Sequence, residues 1–115
     1  MTLEDLTKKK CKPCEGNVDP LTPEQVHELM GALNSDWTYD EAAARIERKF
    51  GFPVFSRTIA FVNAVSWVAI NEGHHPDLKV SYGSCDVQYK THSIKGLSVN
   101  DFICAAKIDH LADEL

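Results

Sequence analysis

The sequence predicts an α+β fold in which a four-stranded antiparallel sheet is covered on one face by three helices, in the order α-β-β-α-β-β-α. Two observations predict it. Apolar residues recur at helical spacing in three segments and alternate with polar residues in the segments between them. Residues that begin or end helices, and a glycine turn, stand where the periodicity changes. At 115 residues, 43% of them hydrophobic and 25% charged, the chain has the composition of one globular domain.

The N-terminal region has no periodic pattern of apolar residues. Residues 1–20 carry charges, a glycine and two prolines, so we expect a flexible arm followed by a single domain over residues 21–115.

The first helix should run over residues 23–33. Thr22, Pro23 and Gln25 form a capping box with a proline at the first helical position, and four apolar residues then make one stripe.

The next two elements read as strands. A short strand begins at Trp37, after a turn of polar residues. Residues 44–52 then alternate, with Ile46, Phe50 and Phe52 on the apolar side. Arg48 interrupts that side. A helix would mix the two sets of residues on each face, so the alternation favours a strand.

The longest helix should cover residues 53–72. It is apolar on two sides, which predicts that the sheet covers one side and a neighbouring subunit covers the other. Gly73 suits the left-handed position that ends a helix. This helix and the open edges of the sheet together favour a homodimer or homotetramer.

The last part of the chain predicts a hairpin and a helix. Residues 78–82 and 85–92 alternate as half-buried antiparallel strands, joined by Gly83-Ser84 in a type II′ turn. His92 should lie on the polar face near the end of the second strand. Ser98 and Asp101 form a capping box that begins the last helix.

Charge and hydropathy exclude several functions. The net charge of -5 argues against nucleic acid as a partner. The N-terminus has neither the apolar region of a secretory signal nor the composition of a transit peptide, so we expect a cytoplasmic protein. The longest apolar run, residues 59–70, is shorter than the ~20 residues that a membrane-spanning helix needs. No membrane segment is expected.

Four cysteines are present, and Cys11 and Cys14 have the C-x-x-C spacing. A complete zinc site would require a second such pair, which the sequence lacks. The pair is interpreted as two thiols on a mobile arm, with a zinc half-site completed by another chain as the alternative. A redox motif is less favoured, because no strand precedes Cys11.

Three histidines are candidates for a functional site. His74 and His75 follow the end of the long helix, and Pro76 holds His75 extended, so the two rings should point in different directions. The predicted hairpin runs out and returns, which brings His92 back towards the level of Pro76, and Asp77 and Asp101 should lie near the same end. The set predicts either a three-histidine metal site or a metal-free proton-transfer site. His27 and His110 are interpreted as surface residues.

These residues resemble the pterin-4a-carbinolamine dehydratases, also called dimerization cofactors of a homeodomain transcription factor. The family motif is a histidine pair with a following proline, then an aromatic residue, a third histidine and an aspartate at set spacings. Here it reads His74-His75-Pro76, Tyr82, His92 and Asp101. Trp37, residues 50–52 and residues 96–102 also match, so the resemblance covers about residues 20–112.

The resemblance implies dehydration of 4a-hydroxytetrahydropterin to quinonoid dihydropterin, in support of tetrahydrobiopterin recycling, without a metal or an organic cofactor. It implies that His74 and His92 transfer protons, that His75 holds the pterin, and that Asp101 orients the site or caps its helix. The remaining substrate-binding candidates are Trp37, whose alternative role is core packing, and five residues beside the histidines: Gly73, Pro76, Lys90, Thr91 and Ser93.

One position departs from the family pattern. The family usually has a polar or acidic residue four positions before the first histidine, where this chain has Ile70. Glu72 is two residues further along, which on a helix is a rotation of about 200°. Two alternatives to the enzyme therefore stay open. One is a catalytically weak module that binds another protein through the long helix, and the other is a metal protein that uses the three histidines.

Overall fold

The computed structural model describes residues 2–12 and 19–114. Four helices and four strands follow one another as α1 (Leu3–Thr7), α2 (Pro23–Met30), β1 (Thr38–Asp40), β2 (Arg45–Gly51), α3 (Phe55–Glu72), β3 (Asp77–Ser81), β4 (Ser84–Tyr89) and α4 (Val99–Glu114). A short 3₁₀ turn, His92–Ile94, lies between β4 and α4. The α+β class and the single antiparallel sheet are confirmed. No helix in the described residues is long and apolar enough to cross a membrane.

The strands lie in the order β1-β2-β4-β3, and each neighbouring pair is antiparallel. The turn between β3 and β4 differs by one residue from the prediction. Ser81 pairs with Ser84, so the loop is Tyr82 and Gly83. A side chain at Gly83 would bring its Cβ within 3.0 Å of the Phe52 carbonyl oxygen. The glycine is therefore needed for close approach of the two backbones, and not for a left-handed turn.

The two strands of this hairpin are buried to different degrees. In β4 the side chains of Cys85, Val87 and Tyr89 are buried and alternate with half-buried ones, as predicted. Every residue of β3 is exposed, so the prediction of a half-buried strand is wrong there. The reason is position: β3 is the outermost strand, beyond the part of the sheet that carries the core.

The long helix α3 buries one of its two apolar faces. Phe61, Val65 and Val68 face the core. On the other side Trp67 is 65% exposed and Ile70 is 82% exposed. Gly73 ends the helix in the left-handed conformation (φ 65°), as predicted.

The N-terminal region contains an element that the sequence analysis did not assign. Leu3–Thr7 forms α1, which begins with a capping box between Thr2 and Asp5 and packs against α4. Leu6 is fully buried in the core. The helix α1 is too short for a periodic pattern to reveal it.

The predicted helix over residues 23–33 is confirmed as α2, although α2 ends at Met30.

A buried carboxylate explains the arginine on the apolar side of β2. Asp109 of α4 accepts hydrogen bonds from the Trp37 indole N–H (2.7 Å), the Asn34 backbone N–H (3.1 Å) and the Arg48 guanidinium (2.7 Å). The guanidinium also lies over the Phe50 ring. Burial raises the pKa of Asp109, and these donors offset part of the rise. Arg48 thus belongs to the core because its charge is paired.

Candidate functional site

A cavity of about 510 Å³ opens between the C-terminus of α3, the 3₁₀ turn and the start of α4. It brings together most of the residues that the sequence analysis assigned to the site. Those lining it are Gly73, His74, His75, Lys90, Thr91, His92 and Ser93.

His74 is held by a carboxylate beneath it. Its Nε2 lies 2.6 Å from Oδ1 of Asp101, which is fully buried in the first turn of α4. The other oxygen, Oδ2, accepts from the Thr91 hydroxyl (2.8 Å) and from the Ser98 backbone N–H (3.0 Å). Of the two hydrogen bonds in the predicted capping box, the one from the Ser98 backbone N–H to the Asp101 carboxylate is therefore present. Asp101 caps α4 and orients His74 at the same time, so its two suggested roles are compatible.

The His74 ring rests on a buried tyrosine that the sequence analysis did not assign to the site. The rings of His74 and Tyr89 are stacked, with centroids 5.8 Å apart and planes 9° apart. Burial, followed by the nearby Cys104, raises the pKa of Tyr89. The phenol therefore stays neutral and gives the imidazole a flat, rigid support. The alternation in β4 predicts that Tyr89 is buried but not which ring it meets.

The other two histidines pair with each other. The rings of His75 and His92 are stacked, with centroids 6.0 Å apart. A flat ligand between the two rings would need a van der Waals contact of about 3.5 Å on each side, which is more than this separation allows. The two rings therefore form one wall of the cavity and do not enclose a ligand. His74 and His75 do point in different directions, as predicted. His92, however, begins the 3₁₀ turn and does not lie in β4, which ends at Tyr89.

The 3₁₀ turn that carries His92 is closed by backbone hydrogen bonding. The Thr91 N–H donates to the Gly96 carbonyl (3.0 Å), and Lys95 adopts a left-handed conformation (φ 53°) to complete the reversal. This closed loop fixes His92 relative to Thr91, whose hydroxyl binds Asp101. The two sides of the cavity are therefore connected through one carboxylate.

The imidazoles do not converge on one point. His74 binds Asp101 through Nε2, while His75 faces His92 on the other side of the chain. In residues 2–12 and 19–114, no group of three or more His, Cys, Asp and Glu side chains is arranged to hold a metal ion. The arrangement suits proton transfer to a ligand that lies across the cavity.

One wall of the cavity comes from the N-terminal segment, which the sequence analysis described as a mobile arm. Cys11 and Lys12 line the cavity, together with Asn71 and Asn100. The Cys11 N–H donates to Glu72 (2.9 Å), and the Cys11 thiol lies 3.5 Å from that of Cys104. Cys14 lies outside the described residues, so the alternative of a zinc half-site formed with Cys11 stays a prediction. Because single long-range hydrogen bonds leave no periodic pattern, the sequence gives no signal for this wall.

The Glu72 carboxylate does not take the place of a polar side chain at position 70. Ile70 occupies the cavity rim and is mostly exposed, whereas the Glu72 carboxylate is buried against Lys107 (3.0 Å) and Cys11. Burial works to raise the pKa of Glu72, but the hydrogen bonds from Cys11 and Lys107 outweigh it and the pKa lies below the usual range. Glu72 therefore anchors the N-terminal segment.

This lowered pKa gives a testable pH dependence. A carboxyl group whose pKa falls on folding stabilises the folded state above its ordinary pKa, and the contribution is lost as the pH falls through the folded value. We expect Glu72→Gln to lower the free energy of unfolding more at about pH 7 than at about pH 3, measured by urea denaturation. The exposed Glu28→Gln is the control. Equal effects of Glu72→Gln at both pH values would contradict the anchoring role.

Three predicted site residues do not line the cavity. Asp101 lies beneath it, and Pro76 follows His75 outside it. Trp37 is buried in the core, with its indole bound to Asp109 and its ring edge against Phe50. Of the two roles considered for Trp37, the geometry of this chain supports core packing.

Comparison with known proteins identifies relatives across the whole described domain. The family model for pterin 4 alpha carbinolamine dehydratase matches residues 19–111. A protein of Nitrosospira multiformis, provisionally named a pterin-4-alpha-carbinolamine dehydratase, is 51% identical over 96% of this chain and 95% of its own length. A protein of Legionella pneumophila with the same provisional name is 50% identical over 93% of this chain and 95% of its own length.

Solved structures share the fold. The crystal structure of a transcriptional coactivator/pterin dehydratase from Brucella melitensis aligns with a TM-score of 0.77 at 30% identity, covering 82% of this chain and 99% of that one. A pterin dehydratase-like protein described as a RuBisCO assembly factor in the alpha-carboxysome aligns with a TM-score of 0.59 at 20% identity, over 67% of this chain and 89% of its own. At that identity the second likeness shows the fold alone.

Proposed function

Because the chain belongs to the pterin-4a-carbinolamine dehydratase family, we propose that it removes water from 4a-hydroxytetrahydropterin to give quinonoid dihydropterin, a step in tetrahydrobiopterin recycling. The observation that carries the proposal is the meeting of His74, His75 and His92 at one cavity, with Asp101 bound to His74. Imidazoles titrate near neutral pH and can both give and accept protons there.

His74 is the proposed base. With Asp101 as a carboxylate accepting from Nε2–H, the Nδ1 of His74 carries the lone pair. That nitrogen takes the proton from the ring nitrogen bonded to C4a, and Asp101 stabilises the imidazolium that forms. The Tyr89 ring beneath holds the imidazole in plane.

His92 is the proposed acid. It donates a proton to the hydroxyl on C4a, the C–O bond breaks, and water leaves while the electrons of the N–H bond form the C=N bond. The stacked His75 limits the directions that the His92 ring can take and, as the resemblance implies, contacts the pterin. The proton lost by the ring nitrogen and the one given to the hydroxyl balance, so the two imidazoles return to their starting states after exchange with water.

A dehydration assay tests the proposal directly. Purified protein is expected to accelerate the loss of 4a-hydroxypterin absorbance, because each proton transfer typically contributes about 10²–10⁴-fold. The readout is the first-order decay rate against protein concentration. The control is His27→Ala, which changes an exposed histidine on α2. With this variant the absorbance should decay at the same rate as with the wild type. A decay rate independent of protein concentration would contradict the activity.

A second candidate function is protein binding, and one observation favours it. Trp67 and Ile70 on α3, and Leu78, Val80 and Tyr82 on or beside the edge strand β3, are large apolar side chains left exposed in a single chain. Patches of this kind mark association surfaces. We propose that they support a homodimer or homotetramer, and that a further protein partner would bind through α3.

A further inference from the structure

Residues 11 and 12 precede the part of the chain that the family model matches, yet they form a wall of the cavity. Two buried side chains hold them there. Asn100 of α4 accepts from the Lys12 N–H (3.1 Å) and donates to the Lys12 carbonyl (2.5 Å), as a neighbouring strand would. Glu72 accepts from the Cys11 N–H. These hydrogen bonds fix residues 11 and 12 to α3 and α4, so the wall is part of the folded domain.

The walls of the cavity carry more positive than negative charge, although the whole chain has a net charge of -5. Two lysines, Lys12 and Lys90, line it. Among the described lining residues Glu72 is the only carboxylate, and it is paired with Lys107. Asp101, beneath the cavity, is paired with His74. An anionic group on a ligand would therefore meet two lysines whose charge is not cancelled by an acid among the described lining residues.

We propose that this wall contacts the substituent of the bound pterin, and that Lys12 makes the site prefer pterins whose substituent carries a negative charge. The inference rests on the proposed function and names its substrate class. The reacting edge of the pterin must face His74 and His92, so the rest of the molecule extends over the other walls. Asn100 and Glu72 are positioning residues that act through Lys12 and Cys11.

The test compares two stable fluorescent pterins that differ in charge, 6-carboxypterin and 6-hydroxymethylpterin. We expect the full-length protein to bind the carboxylate form about three- to tenfold more tightly, as one partly exposed charge-assisted contact would give. Lys12→Ala should bind the two equally. The exposed Lys9→Ala, from the same segment, should keep the wild-type preference. Added salt should reduce the preference in the wild type and leave Lys12→Ala unchanged.

Asn100→Ala separates positioning from direct contact. This variant keeps Lys12 but removes the two hydrogen bonds that Asn100 makes to the Lys12 backbone. It should therefore also lose the preference for the charged pterin. Its circular dichroism spectrum should stay that of the wild type. A preference that survives in Lys12→Ala, or equal binding of both pterins by the wild type, would overturn the inference and leave the proposed function standing. If neither pterin binds the wild type, the proposed function fails as well.

Discussion

Replacing His74 with alanine is expected to lower kcat for dehydration by about 10²–10⁴-fold, the usual contribution of a positioned proton-transfer group. The loss should fall mainly on kcat, because the remaining walls of the cavity still bind the pterin. His92→Ala should cause a loss of the same order, since it removes the partner transfer. Both values of kcat come from the 4a-hydroxypterin absorbance assay under steady-state conditions, with substrate in excess over protein.

His110→Ala is the matched control, because His110 is exposed on α4 away from the cavity. Its turnover should equal that of the wild type. Asp101→Asn should give an intermediate loss, since the amide keeps the shape but can no longer stabilise a charged His74. Turnover like that of the wild type in both His74→Ala and His92→Ala would contradict the roles assigned to them.

Replacing Asp109 with alanine is expected to destabilise the fold by about 3–5 kcal/mol, the range seen when one partner of a buried ion pair is removed. The change leaves the Arg48 guanidinium, the Trp37 indole N–H and the Asn34 N–H without their common acceptor. Urea denaturation at neutral pH measures the loss. The exposed Asp113→Ala, on the same helix, should change stability little.

A double variant separates pairing from packing. Arg48→Met in the Asp109→Ala background removes the stranded charge, so it should recover part of the lost stability. Additive losses in the double variant would show instead that the guanidinium does not depend on Asp109.

Local signals in the sequence were sufficient for most elements. The capping residues around Thr22 and the left-handed glycine at position 73 act within one turn of helix, so their effect is visible in a short window. The alternation of β2 and β4 likewise follows from burial of one face of the sheet. It did not reveal that β3 lies beyond the core, because burial of an edge strand depends on what covers it.

The candidate site was predicted where the chain itself brings residues together. The hairpin returns His92 to the neighbourhood of His75, and the start of α4 places Asp101 beside His74. The sequence did not predict that Tyr89 stacks on His74 or that Asn100 hydrogen-bonds to the Lys12 backbone. Each depends on the relative placement of distant elements, and no spacing rule encodes such a contact.

The packing of α1 on α4 has a consequence for any shortened form of the protein. A chain trimmed to begin at residue 19 would keep every histidine but would lose Leu6 from the core. It would expose the side of α4 that α1 covers and leave Glu72 and Asn100 facing water in place of Cys11 and Lys12. The smallest unit with a complete site therefore starts well before residue 19, where the match to the family model begins.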